Sequence, residues 1–242
     1  MRSIWIITKR ELASFFDSLL AYILLIAFLG FSGLFTWLVG GDVFITKQAS
    51  LQTFFGVAYW SLFFFIPALT MRMIAEERSS GTLELMLTRP VSDWQLVLGK
   101  FLSALLLIVI SLALTLPYYI TVASIGPIDH GAVWTGYLGL FLMSAAYISI
   151  GLFASSITTN QIVAFLLALL IGIFFHLLFG FLAHSFPGFI GRLLNYLSLN
   201  SHYESITRGV VDTRDLIYFF SVIFMGLFAA ETAIAKRNII DN

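Results

Sequence analysis

Six runs of about twenty residues carry no lysine, arginine or aspartate; they lie near 19–38, 54–71, 101–122, 137–154, 162–181 and 216–234. A helix crosses about 30 Å of hydrocarbon with roughly 20 apolar residues, and lipid offers no hydrogen bonds, so each crossing segment must satisfy its own backbone. The runs predict an all-α polytopic membrane protein, a single membrane domain over residues 1–242 with six spans. The one carboxylate inside a window is Glu231, a turn from the end of the last span. Composition agrees, at 60% hydrophobic and 11% charged, where a soluble domain holds about half and about a quarter.

Acidic and basic residues balance at 13 each, and the basic ones are too scattered for a nucleic-acid partner. With no cysteine there is no disulfide, thiolate metal site or cysteine nucleophile. The placement of charge sets the expected orientation, because short basic loops stay in the cytoplasm. With both termini inside, the inner side carries Arg2, Lys9, Arg10, Arg72, Arg78, Arg89, Lys100, Lys236 and Arg237, against Lys47, Arg192, Arg208 and Arg214 outside. That imbalance predicts cytoplasmic termini and a cytoplasmic loop over 76–100.

The first residues read as an uncleaved anchor, since the apolar run reaches Leu38, too long for a typical signal core. Over 4–16, Trp5, Leu12 and Phe16 share one helical face, which suits a helix lying in the headgroup layer or a plain extension of the first span. Outside, 40–53 and 124–136 are short connections. The outer loop 182–215 is too long for a bare loop and predicts one or two short helices before span six.

Chemical groups are few. The single Gly-Lys pair, Gly99-Lys100, is followed by Phe101 and lacks the glycines and hydroxyl of a phosphate-binding loop. His176 is the only ionisable group in mid-span, where an ion-coupled carrier would keep several. That weighs against a secondary transporter. "GFSG" at Gly30–Gly33 resembles the Gly-x-Ser-Gly of rhomboid-type intramembrane serine proteases, but it sits on the wrong span, and such small residues commonly serve close helix packing.

Ala164, Ala168, Gly172, His176 and Gly180 recur every four residues and form a small-residue stripe on the fifth span. It predicts either a dimer interface or substrate path with His176 as its polar contact, or packing against a helix of the same chain. One histidine is too few ligands for a metal. Pro67 and Pro117 predict kinks, and Asn160 a cap for the fifth helix.

The loop over 76–100 has its own punctuation. Gly81 permits a sharp turn, Leu83, Met86 and Leu87 then share a face, and Pro90 ends a short helix. Ser92 and Gln95 have capping-box spacing for a second helix leading into span three. With Glu76, Glu77 and Glu84, the loop offers a docking surface for a cytoplasmic partner, or a helix resting on lipid.

Glu77, Gly81, Thr82, Leu83, Glu84, Leu85, Leu87 and Pro90, then Gly99-Lys100, resemble the pattern Glu-x-x-x-Gly-Thr-Leu-Glu-x-x-Leu-x-x-Pro with Gly-Lys of the ABC-2 type transporter permeases. "FFFIPALTMRMIAEERSSGTLELMLTRPVSDWQLVLGKF" and "GYLGLFLMSAAYISIGLFASSITTNQIVAF" are most similar to permeases associated with gliding motility. The resemblance implies a non-enzymatic half-transporter in a bacterial inner membrane. Two permease chains, identical or paired with a related auxiliary subunit, would carry two separate ATPase subunits that bind ATP and magnesium. It implies further that Glu77 and Gly81 to Leu87, including Met86, with Pro90, form the coupling segment held by each ATPase, and that 4–16 is the connecting helix. The contrasting class is a membrane scaffold or regulatory subunit whose ATPase cycle does mechanical work.

Overall fold

The computed structural model describes residues 2–39, 49–82 and 91–240. Among them every regular element is helical. Helix α1 (Arg2–Asp17) precedes α2 (Leu19–Trp37), α3 (Gln52–Thr70), the short α4 (Ala75–Ser79), α5 (Asp93–Ala113) and α6 (Leu116–Ile125). There follow α7 (His130–Ser156), α8 (Gln161–Ile173), a π-helical turn at Phe174–Leu178, α9 (Phe179–Ser185), α10 (Phe189–Leu197), α11 (Leu199–Thr207) and α12 (Thr213–Ile240). Six segments, with the joined pieces α3–α4, α5–α6 and α8–α9 each counted once, are long and apolar enough to cross a membrane. The chain is a multi-pass membrane protein. One end of the bundle, here the loop end, holds α1, α4 and the α7–α8 turn; the far end holds α10 and α11.

The helices overrun the apolar windows, because a ladder of backbone bonds continues through polar residues at the headgroups. The fourth span extends from 137–154 to His130–Ser156, where Asp129 accepts the Ala132 N–H at 3.1 Å as its cap. The third begins at Asp93, capped by Ser92 on the Gln95 N–H at 3.3 Å. The reciprocal bond of a capping box is not made, since the Gln95 side-chain oxygen has no partner among the described residues. Asn160 caps α8 through the Ile162 and Val163 amides.

The third span is interrupted just before Pro117. Pro117 stands in the first turn of α6, where its missing N–H is harmless, and the span is broken at Leu114–Thr115. The hydroxyl of Thr115 bridges the break, donating to the Leu112 carbonyl (2.7 Å) or meeting the Tyr137 hydroxyl (3.0 Å). Pro67 stays inside α3 near its C-terminal end.

At the centre lies α7, buried at nearly every position from Tyr137 to Ser156. Helix α12 packs along it with Gly226 against Ser149, and α3 crosses it with Thr70 against Gly151. A Cβ at Gly151 would overlap the Thr70 side chain, whose hydroxyl is already committed to the Ile66 carbonyl at 2.9 Å. Helices α2 and α8 sit at the rim and turn Ile23, Ile26, Leu166 and Leu170 outward. Overpacking a tight crossing costs roughly 1–3 kcal/mol. Gly151→Val is expected to lower the thermal unfolding temperature in detergent, whereas Gly30→Ala, with open space around it, should leave it unchanged.

Candidate functional site

The densest polar arrangement among the described residues lies at the loop end, where the chain enters and leaves 83–90. Gly99 lets α1 cross α5 at close range: a Cβ there would lie 2.6 Å from the Ile7 side chain. Thr8 secures the crossing, its hydroxyl donating to the Ile4 carbonyl at 2.9 Å or the Gly99 carbonyl at 3.2 Å. One residue on, Lys100 is fully buried, and its Nζ reaches Glu77 Oε1 at 2.7 Å and Glu11 Oε2 at 3.3 Å. Arg10 adds a second cation, 2.5 Å from Glu11 and 3.8 Å from Glu77. An ammonium removed from water needs anions in contact, and here they come from two other helices. The cluster therefore joins α1, α4 and α5.

A second joint fixes the same segment to α7. The Ser155 hydroxyl accepts the backbone N–H groups of Ile74 and Ala75, at 3.1 and 3.0 Å, and donates to the Met71 carbonyl at 3.0 Å. Arg78 donates to the Ser156 carbonyl at 2.6 Å. Met71 to Thr82 is thus held from both sides. Gly81 has φ of +71°, the left-handed region a β-carbon disfavours, with nothing within 4 Å of where one would stand. Thr82 donates to the Glu77 carbonyl at 3.3 Å. Leu83, Glu84, Leu85, Met86, Leu87 and Pro90 lie outside the described residues.

The sequence places Lys100 and Arg78 only among the basic residues of the inner side and singles out neither Glu11 nor Ser155. In the structure Lys100 is an interior cation. Burial alone would raise the Glu11 carboxyl, but Lys100 and Arg10 beside it more than offset that and hold it below its ordinary value.

The fifth-span stripe is also placed. Ala164, Ala168, Gly172 and His176 are buried within the subunit, and Gly180 approaches Ser198. Gly172 faces Phe63 and Tyr147, and His176 lies 4.2 Å from the Tyr59 ring with Nδ1 2.5 Å from the Tyr147 hydroxyl. Within the subunit the small residues of the stripe admit α3 and α7, as the same-chain packing reading expects. "GFSG" has a similar explanation. Gly33 makes room for the Tyr118 hydroxyl, which donates to the Leu29 carbonyl, and Ser32 also bonds to Leu29.

At the far end, His202 joins α11 to α12 through Asp215 at 2.6 Å and meets the Tyr196 carbonyl at 2.9 Å. Tyr218 stacks on its ring at 4.0 Å. No spacing rule in the sequence links these residues.

Removing one member of a buried charge group costs about 3–5 kcal/mol. Lys100→Ala is expected to lower the unfolding temperature sharply and to free α1, read as faster hydrogen exchange over residues 2–17. Acid should do the same in wild type. A carboxyl whose value is depressed on folding stabilises fully above its ordinary range, and that stabilisation is lost as pH falls through the lowered value. Exchange over α1 should therefore hold steady at neutral pH and rise in acid, and a pH-independent profile would remove Glu11 from the joint.

The family described as ABC-2 family transporter protein matches residues 38–235. No curated protein matches the chain. The match runs from just after α2 nearly to the end of α12 and takes in Met71 to Thr82, Lys100 and Ser155, while Arg10 and Glu11 on α1 precede it. The chain belongs to the ABC-2 transporter family.

Proposed function

We propose that this chain is the membrane half of an exporter whose power strokes arrive from separate ATPase subunits docked on the loop over 76–100. One observation carries the reading: the segment entering that loop is bonded to α7 through Ser155 and Ser156 and to α1 and α5 through Lys100. A force on the loop reaches three helices at once. The ATPases would bind ATP and magnesium and pull together, and Gly81 to Leu87 would act as the coupling segment, with α1 as the connecting helix. A second permease chain, identical or an auxiliary relative, would complete the pathway.

The distribution of lysine and arginine supports cytoplasmic termini in a bacterial inner membrane, which puts the loop within reach of soluble ATPases. The similarity of the second, fourth and fifth spans to gliding-motility permeases supports a role in motility or secretion.

Gly81→Pro, which cannot adopt the positive φ, and Glu84→Lys are each expected to leave membrane insertion intact. Both should reduce recovery of the ATPase subunit with the tagged permease. Undiminished recovery with undiminished ATPase stimulation would sink the docking role. A reporter fused after Asn242 that works only in the cytoplasm should be active, and an inactive fusion would reverse the orientation.

A further inference from the structure

At the far end a cavity of about 620 Å³ opens among the first turns of α3 and α7 and the helix α11. Its volume lies in the range of about 300–1,000 Å³ that small-molecule sites occupy. Asp129, Glu204 and Arg208 line it together with Asn200. Each carboxylate has one oxygen engaged: Asp129 Oδ1 accepts the Ala132 N–H, and Glu204 Oε1 accepts from the Asn200 amide at 2.7 Å. Their second oxygens have no partner among the described residues, and neither has the Arg208 guanidinium.

Beside the cavity lies a groove of about 460 Å³ with a different character, formed by Phe31, Phe35, Gly56, Trp60, Phe64 and Phe65. Gly56 and Trp60 border both spaces. From Gly56 to Phe65 the groove follows α3 for roughly 13 Å into the hydrocarbon. Half-exposed Trp60 stands where the two spaces meet, as a ring at a water–lipid boundary does. A charged chamber thus continues past Gly56 and Trp60 into an apolar groove running along α3.

That shape fits one molecule with a charged head and an alkyl tail. The signs of the charges narrow the head. Two carboxylates against one guanidinium disfavour a purely anionic group, whereas a zwitterion satisfies both. A guanidinium binds phosphate through paired N–H donors, and carboxylates bind an ammonium that has N–H groups to give. A trimethylammonium has none.

We propose that this cavity and groove hold a membrane phospholipid with a primary ammonium. Its phosphate meets Arg208, its ammonium meets Asp129 and Glu204, and one acyl chain lies along Gly56 to Phe65. The site concerns binding and does not depend on which solute the transporter moves.

The test uses the full chain in nanodiscs of equal parts phosphatidylethanolamine, phosphatidylcholine and phosphatidylglycerol, with retained lipids counted by native mass spectrometry. Phosphatidylethanolamine is expected to be retained in preference to the other two. Arg208→Gln and the double variant Asp129→Asn with Glu204→Gln should each cut that preference about two- to fivefold, the scale of partly exposed charge pairs. Asparagine caps α7 as well as aspartate does, so the fold is kept. Gly56→Leu, at a position with nothing within 4 Å of its Cβ, should fill the passage and remove the preferential retention altogether. Retention in proportion to bilayer composition would reduce the site to boundary lipid and overturn the proposal. Preference for phosphatidylglycerol would overturn its charge argument, and lipid-free dimers would show that a second copy of the chain covers the groove instead.

Discussion

In hydrocarbon, burying one apolar surface against another gains little, because the lipid is as apolar as the neighbour it replaces. What holds these helices together is close approach, and close approach needs positions without side-chain bulk. Helix α7 supplies them at Gly136, Gly139 and Gly151, which receive Phe55, Tyr203 and Thr70. Gly226 on α12 receives Ser149 in return. The helix that is buried nearly all round is thereby the one that α3, α5, α8 and α12 all touch, while α2 packs chiefly on α3 at the rim.

Where α1, α4 and α5 meet, electrostatics take over from packing. Gly99 and Lys100 are adjacent and do complementary work, the first by letting α1 lie against α5 and the second by giving that contact a charge to close around. Neither function is visible without Glu11, which is 89 residues away in the chain. Ser155 performs a quieter version of the same task. Its single hydroxyl satisfies two amides at the start of α4 that the helix cannot satisfy for itself.

The spans were legible because length and the absence of charge are local properties of the sequence. So were the caps at Ser92 and Asn160, which act within three residues. The partner of Lys100 was not, since a lysine at the edge of an apolar run reads as a loop residue until the crossing of α1 is known. The stripe at Ala164 to Gly180 marked an approach without naming which helix approaches, and it faces α3 and α7. His202 and Asp215 looked like ordinary loop polarity, because only the fold-back of α10 and α11 brings them together on α12. The stretch over 83–90 is the reverse case: its pattern is clear in the sequence, and the structure describes the residues on either side of it, Thr82 and Val91.

The break at Leu114–Thr115 changes what the third span is mechanically. A rod of 33 residues would carry any tilt imposed near Lys100 unchanged to its other end. Two shorter rods meeting at Thr115, with Tyr137 of α7 beside the joint, behave as a lever on a fulcrum. Helix α5 is tied to the charged cluster while α6 is seated against Gly33 of α2, so the two halves of the span are anchored to different neighbours and the angle between them is set at Thr115.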